Sequence, residues 1–374
     1  MGIATNLASL ARQLSANGVP PDATLRNRII NPAMTISQER LATAVDITTG
    51  SVYAVDQWVG ALSTTPGGTL RLQQVASLTP GGSPNRLRAT VQAADASLAA
   101  GDLYTLRQPI EGLLVADTRF GTIFARPLLL RIGVRSSVAG TFGVSIINNA
   151  SNRSWIGTFT IAGGEINTDL VRTLIIPGDT TGTWLTDAGV GLLLSITLAS
   201  GATFQGSPGW QAANVLTTSA QTNLMATGSA TFELFDVGLY VDHANAGIFP
   251  QWEMPAFDDE LRRCQRYYEK SYEYNTLPAA APNYVNAAAG PTQNGTLSSV
   301  VINVNYIEKR AVPIFSTFSP QLGIIGRMRD AAGTESSTAS SSLAGTKSFG
   351  VVNSGSALQT NGWAYMQWVA NARL

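Results

Sequence analysis

Few residues in this chain belong to the types that perform catalysis. Its 374 residues include one histidine, His243, and one cysteine, Cys264. A Ser-His-Asp site would have to use His243, but the sequence contains no G-x-S-x-G turn that would expose a serine nucleophile. One cysteine excludes an intramolecular disulfide and any zinc site built from several thiolates. We therefore expect neither a catalytic triad, nor a metal site, nor a bound cofactor.

Two further chemistries depend on other residue patterns. Neither G-x-x-x-x-G-K-[ST] nor G-x-G-x-x-G occurs, which argues against nucleotide hydrolysis. Glycoside cleavage needs two carboxylates that can be distant in sequence, and four acids lie near predicted strand ends: Glu165, Asp169, Asp179 and Asp187. Asp179 and Asp187 also occupy turn sequences, which explains them without any catalysis. A polysaccharide depolymerase is therefore an alternative, and we expect the chain not to be an enzyme.

Three tryptophans are the strongest candidates for ligand contacts. Trp155, Trp184 and Trp210 lie among Gly, Ser, Thr and Asn residues, as is typical of loops and strand ends. Exposed aromatic rings stack on the apolar faces of sugars, while neighbouring polar side chains bind hydroxyl groups. The alternative is that these rings close the ends of a β-sandwich.

The charge composition excludes several classes of partner. Lys+Arg and Asp+Glu each number 24, and charged residues make up 13% of the chain. Zero net charge removes the electrostatic attraction expected of a nucleic-acid binder. The longest apolar run, around residues 190–198, is far shorter than the ~20 residues that span a bilayer, so we expect no membrane insertion. So few charges suit a rigid virion, fibre or matrix component.

The first segment has the pattern of an amphipathic helix. Ile3, Leu7, Leu10 and Leu14 repeat at spacings of four, three and four, before Asn17-Gly18 and Pro20-Pro21 end the pattern. So short a helix must pack on something. It could dock on its own domain, or it could serve attachment or oligomerisation by bundling with other subunits or inserting into a partner. We assign this segment residues 1–25.

Residues 26–256 have the pattern of an antiparallel β-sandwich. Short runs alternate apolar and polar residues between Gly, Pro, Asn and Asp, as in Leu128, Leu130, Ile132 and Val134. Eight to ten such strands predict an antiparallel sandwich or a jelly roll. No helical pattern alternates with them, which argues against a parallel α/β sheet.

The remaining residues predict a helix, a linker and a second β domain. Asp258, Asp259 and Glu260 open the helix and Lys270 lies near its predicted end, with 257–295 forming helix and linker. Strand patterns return over 296–374, where the closing run begins at Trp363. The expected fold class is mainly β: an antiparallel jelly-roll sandwich and a smaller C-terminal β domain, with a short N-terminal helix and one connecting helix.

Five elements resemble, in order, a module of bacteriophage fibre proteins. The opening N-R-I-I-N-P-A-M-T-I-S-Q is similar to the module's N-x-L-I-N-G-x-M-x-I-x-Q, and Y-A-V-D-Q-W to its Y-x-x-D-R-W. The other three are L-R-Q-P-I-E-G, I-P-G-D-T-T-G-T-W and the helix L-R-R-C-Q-R-Y-Y-E. They occupy residues 27–38, 53–58, 106–112, 176–184 and 261–269.

The resemblance implies a jelly roll like those of carbohydrate-binding modules, carried on a tail fibre, head fibre or related virion appendage that is commonly trimeric. It carries over no catalytic site. Asp56, Gln108 and Glu111 of these motifs are expected to be buried hydrogen-bonding residues rather than ligand contacts. Gln57 stands where the module has Arg, which removes an ion pair expected near Asp56.

The leading hypothesis is a phage virion fibre protein, structural and binding host-surface glycan during adsorption. Its N-terminal segment would contact other virion proteins or assemble a homotrimer, so that several weak sites act together. The first alternative is an architectural connector or decoration protein with no receptor role. The second is the depolymerase.

Overall fold

The computed structural model describes residues 26–63, 65–292, 300–336, 340–353, 358 and 362–374. Ile3, Leu7, Leu10 and Leu14 lie outside the described residues, so the predicted N-terminal helix stays a prediction. The chain divides into two compact units. The first comprises the described residues of 26–35, 44–53 and 58–255, and the second comprises those of 36–43, 54–57 and 256–374. The two short segments of the second unit come from the region that the sequence assigned to the jelly roll.

Two antiparallel sheets build the first unit, with strands numbered in chain order. The six-stranded sheet has the order β1 (Val45–Ile47), β4 (Thr69–Ala76), β5 (Asn85–Ala93), β13 (Thr231–Val241), β7 (Leu128–Ser136) and β10 (Leu170–Ile176). The seven-stranded sheet has the order β12 (Gly209–Gln211), β9 (Ser154–Ile161), β8 (Gly140–Ile147), β11 (Val190–Ser200), β6 (Leu103–Glu111), β3 (Trp58–Leu62) and β2 (Ser51–Val55). The mainly β, antiparallel fold class predicted from the sequence is confirmed.

Alternation along the strands places apolar side chains between the two sheets. Leu128, Leu130, Ile132 and Val134 of β7 are all fully buried, as the period of two requires. Gly60 in β3 marks a close approach, because a Cβ there would lie 2.4 Å from Leu72 Cδ1 of the opposite sheet. The core therefore lies between the sheets.

The second unit is organised around its last strand. β21 (Trp363–Asn371) pairs on one side with β14 (Tyr268–Lys270) and β15 (Ala288–Pro291), and on the other with β17 (Ile314–Phe318) and β18 (Arg329–Asp330). A three-stranded sheet has the order β16 (Val300–Asn305), β20 (Ser348–Asn353) and β19 (Ser340–Ser342). Phe349, Met366 and Trp368 lie in the core of this unit.

The predicted helix and linker differ in detail from the structure. The helices among the described residues are short: α1 (Gly112–Val115) and α2 (Phe257–Gln265), beside four 3₁₀ turns. Acidic residues open α2 as predicted, but Lys270 lies in a strand rather than near the helix end. The linker expected before residue 296 contains β15. Within the part of the chain that is described, no helix is long and apolar enough to cross a bilayer.

Candidate functional site

Two of the three candidate tryptophans belong to one aromatic cluster in the first unit. Phe120 lies 5.1 Å from Trp184 and 5.6 Å from Trp210, measured between ring centroids, and the two tryptophans lie 5.7 Å apart. All three pairs meet edge to face, the arrangement that aromatic quadrupoles favour. Trp184 and Trp210 are half-buried.

Hydrogen bonds within the protein hold both indoles. Trp184 Nε1 donates to Asp179 Oδ2 at 3.0 Å, and Trp210 Nε1 donates to the carbonyl of Pro177 at 3.0 Å. Arg153 lies over the Trp210 ring at 5.4 Å from its centroid and pairs with Asp179. The cluster thus fixes the I-P-G-D-T-T-G-T-W turn, and the assignment of Trp184 and Trp210 as glycan contacts stays a prediction.

Trp155 does not fit the role predicted for it. Its side chain is buried, with 6% of the residue exposed, and it lies opposite Trp210 in the β9 and β12 register. A buried ring offers no face on which a sugar can stack. Trp155 is therefore a core residue, and its assignment as a glycan contact is corrected.

Highly exposed side chains lie beside the cluster, in the turn that follows Phe120. Arg119 has a left-handed backbone (φ 55°) at the end of a 3₁₀ turn, which directs the chain into an exposed segment. Ile123 and Phe124 there are 84% and 63% exposed. The Arg119 guanidinium lies 5.8 Å from the centre of the Phe124 ring. Among the described residues this guanidinium has no hydrogen bond or ion pair.

Arg119 lies between two concavities of the first unit. One is a small cleft against the aromatic cluster, where Phe120, Trp184 and Thr186 form part of the wall. The other is an open concavity of about 300 Å³, whose lining is Arg119, Phe124, Ala125, Arg126, Pro127, Asp242, His243 and Asn245. We call these two linings together the Arg119 surface.

Around the open concavity the acidic side chains have hydrogen-bond or ion-pair partners, whereas two arginines have no carboxylate partner among the described residues. His243 Nε2 lies 3.3 Å from Asp117 Oδ2, which also pairs with Arg28 at 2.6 Å. Asp242 is buried and accepts hydrogen bonds from two backbone amides of its own turn. Arg126 donates to the carbonyl of His243 at 2.5 Å and, like Arg119, has no carboxylate partner among the described residues. The Arg119 surface therefore carries an excess of positive charge.

The four acids considered for glycoside cleavage have local partners. Glu165 pairs with Arg172, Asp169 with Arg86, and Asp179 with Arg153, and Asp187 accepts from the amide of Gly189. These contacts give the four carboxylates structural roles. No group of three potential metal-ligating side chains occurs within the described ranges.

The motif residues behave as hydrogen-bonding residues of the interior. Gln108 binds both the amide and the carbonyl of Ile30, and Asp56 accepts from Gln38, which confirms that interpretation for both. Glu111 is buried too. Arg373 lies 3.7 Å from Asp56, so a guanidinium faces this carboxylate although residue 57 is a glutamine. Burial raises the pKa of Asp56 even so, despite the neighbouring guanidinium.

A groove of about 460 Å³ lies in the second unit, with Glu39, Arg40 and Tyr268 among its lining. Glu39 pairs there with Arg40 and with Arg373. Its charged groups thus neutralise one another, unlike those of the Arg119 surface.

The Arg119 surface was not predicted from the sequence, because Arg119, Phe124 and His243 belong to no motif. The one signal for it was an apolar pair, Ile123-Phe124, in a Gly-Thr turn.

Comparison with known proteins finds similarity in structure only. No protein-family model matches the sequence, and no curated protein matches it. The enzymatically active domain of tailspike protein 4 from bacteriophage CBA120 has a TM-score of 0.31 and 8% identity, covering 57% of this chain and 21% of that one. A family 11 carbohydrate-binding module from Clostridium thermocellum, in complex with a mixed-linked tetrasaccharide, has 0.28 and 10%, covering 51% and 94%. An exo-β-agarase has 0.31 and 10%, covering 74% and 36%.

This chain spans about a fifth of the length of the tailspike chain that it matches. TM-scores this low do not establish a shared fold, ligand or activity.

Proposed function

We propose that this chain is a structural protein of a phage virion fibre that binds host-surface glycan through the Arg119 surface. One observation carries the binding proposal: an exposed Phe124 ring and an Arg119 guanidinium without an ion pair among the described residues, 5.8 Å apart, border an open concavity. The ring supplies a face for a sugar, and the guanidinium supplies directional hydrogen-bond donors.

The positive charge of the Arg119 surface favours glycans that carry negative charge. Arg119 and Arg126 have no carboxylate partner among the described residues, while Asp117 and Asp242 are committed to other groups. A guanidinium pairs best with a carboxylate or phosphate, in which two parallel hydrogen bonds form. The favoured ligand is therefore an acidic polysaccharide, such as one that carries uronic acids.

The fibre part of the proposal rests on the five sequence elements that resemble phage fibre modules and on the low charge of the chain. A shallow surface binds one chain of glycan weakly. Several copies on one particle convert weak contacts into stable adhesion through a high effective concentration. The proposed location is the virion, and the proposed assembly is a homotrimer that the N-terminal segment joins to other virion proteins.

The test is binding of the purified full-length protein to an array of acidic and neutral bacterial surface polysaccharides. We expect saturable binding to acidic members, weakened about tenfold or more by Phe124→Ala or Arg119→Ala, which corresponds to roughly 1.4 kcal/mol. Leu78→Ala is the matched control, because Leu78 is 72% exposed in the same unit. Equal binding by all three variants would remove the Arg119 surface from the proposal. Absence of binding to every polysaccharide would favour the connector.

A further inference from the structure

Three polar side chains form one row across the seven-stranded sheet. Arg107 of β6 lies opposite Ser195 of β11, and Ser195 lies opposite Ser145 of β8. Gly60 pairs with Leu106 and approaches the opposite sheet, so Leu106 faces the core. Its neighbour Arg107, and the row that Arg107 begins, therefore face away from the core.

A segment of the first unit covers part of this outer face. Leu216 packs with Leu103 and Ile147, and its amide donates to the carbonyl of Phe204 at 2.8 Å. Thr197, two residues from Ser195, meets the same segment at the carbonyl of Leu216. Both serines of the row are fully buried, whereas Arg107 is only partly buried and keeps one side toward solvent. The row thus runs from the margin of the covered region into it.

Each of the three side chains has a buried polar atom that lacks a hydrogen-bond partner among the described residues. Arg107 Nε, Ser195 Oγ and Ser145 Oγ are buried without a hydrogen-bond partner among the described residues. The three residues lie in register on one face of three adjacent strands. Buried polar groups are almost always satisfied, because an unmade hydrogen bond leaves the cost of desolvation uncompensated.

Arg107 differs from Arg86, a buried arginine of the same unit. Arg86 is buried between two carboxylates, those of Asp169 and Glu233. No carboxylate within the described ranges faces Arg107, and burial alone lowers its pKa to about 10. Among the described residues the row therefore consists of one partly buried cation and two buried hydroxyl groups, with no carboxylate to balance the positive charge.

We propose that Arg107, Ser195 and Ser145 form a binding site for a single anionic group, either a free inorganic oxyanion or the carboxylate of a larger ligand. Each oxygen of an oxyanion accepts hydrogen bonds, and a guanidinium together with two hydroxyl groups can donate them. The partly exposed Arg107 makes the first contact, and the serines complete the site. This site is distinct from the Arg119 surface and does not depend on the proposed function.

The test is the thermal midpoint of the full-length protein, measured while sodium sulfate or sodium acetate replaces sodium chloride at constant ionic strength. A ligand that binds only the folded state raises the midpoint in a saturable manner. We expect such a rise for the wild type and for Arg71→Met, whose guanidinium pairs with Asp46 on the exposed surface. Arg107→Met should abolish it. Identical curves for wild type and Arg107→Met in both salts would overturn the site.

Ser195→Ala keeps the proposal testable by a second route. Without the anion this variant should be as stable as the wild type or more so, because it removes a buried hydroxyl that lacks a partner. With the anion it should gain less than the wild type. A loss of stability without the anion, combined with an undiminished gain, would contradict the assignment of Ser195. A preference for acetate over sulfate would identify a ligand carboxylate, and the reverse an inorganic oxyanion. Arg119→Ala should leave these responses unchanged.

Discussion

Arg153 donates hydrogen bonds to both carboxylate oxygens of Asp179: its Nη2 lies 2.5 Å from Oδ1 and its Nε lies 3.0 Å from Oδ2. Only 1% of the Asp179 side chain is exposed. The same carboxylate accepts from Trp184 Nε1, so one acid connects the residue before β9, the turn after β10 and the aromatic cluster. The aspartate of the I-P-G-D motif is thus a structural residue.

Asp179→Asn should destabilise the first unit by about 3–5 kcal/mol, because it leaves a partly buried Arg153 without its counter-charge. Urea unfolding followed by tryptophan fluorescence measures the change. The control is Asp46→Asn, which breaks a pair with Arg71 whose side chains are 44% and 40% exposed. Exposed pairs contribute about 0–1 kcal/mol. Similar losses in the two variants would show that Asp179 does not have this role.

Close packing accounts for the glycine, Gly112, that ends the L-R-Q-P-I-E-G motif. A Cβ at this position would lie 2.4 Å from the carbonyl oxygen of Leu185, so the backbone must shift to accept it. Gly112→Ala should destabilise the fold by about 1–3 kcal/mol through overpacking. Gly163→Ala is the control, because a Cβ there has no atom within 4 Å. Denaturation midpoints that fall equally would contradict the steric explanation.

Sequence patterns predicted the sandwich well where burial follows a simple period. The β7 pattern is fully buried as expected, and the closing run from Trp363 is a nine-residue strand. The prediction that α2 extends to near Lys270 was wrong. The helix ends at Gln265 and Tyr268 begins β14, although no residue between Gln265 and Lys270 is a helix breaker. The segments 36–43 and 54–57 joined the second unit through tertiary contacts such as Gln38 with the carbonyl of Tyr268, which no local pattern encodes.

The candidate site residues were harder to predict than the fold, because tertiary structure decides which side chains are exposed and which lie together. Trp155 and Trp210 have similar sequence surroundings, yet one is buried and the other is half-buried at the sheet edge. Arg119, Phe124 and His243 meet only because the turn after α1 lies beside the turn after β13. Arg107 and the two serines belong to three strands, and their opposition requires the strand register.

Burial also predicts a pH dependence in the second unit. Lys270 donates to the carbonyls of Tyr274 and Thr276, and desolvation lowers its pKa to about 8. The unfolded chain holds this proton up to a pH of about 10.4. Between these values the unfolded state binds more protons, so the contribution of Lys270 to stability increases as the pH rises.

Wild type should therefore gain stability relative to Lys270→Met between pH 7.5 and pH 9.5, as urea midpoints at each pH would show. The comparison isolates Lys270, because the buried Cys264 thiol, whose pKa burial raises, is present in both proteins and cancels. Lys347→Met is the control, since the Lys347 side chain is 72% exposed. A constant difference between wild type and Lys270→Met across this range would contradict the expectation.

The N-terminal segment should determine the oligomeric state. Light scattering should give the full-length chain a mass near three times 39.4 kDa, and deletion of residues 1–25 should give single chains. The reason is the apolar stripe of Ile3, Leu7, Leu10 and Leu14, which is too short to be stable alone and gains stability when it is buried between copies.

Substitutions within the segment separate burial of the stripe from loss of the segment as a whole. Leu7→Gln with Leu10→Gln should dissociate the trimer, because both changes put amides into the apolar seam. Thr5→Gln with Arg12→Gln should leave the mass unchanged, since those positions lie on the opposite side of the predicted helix. A trimer that survives the leucine changes would place the contacts between copies elsewhere in the chain. A full-length monomer would favour the connector, in which another virion protein covers the stripe.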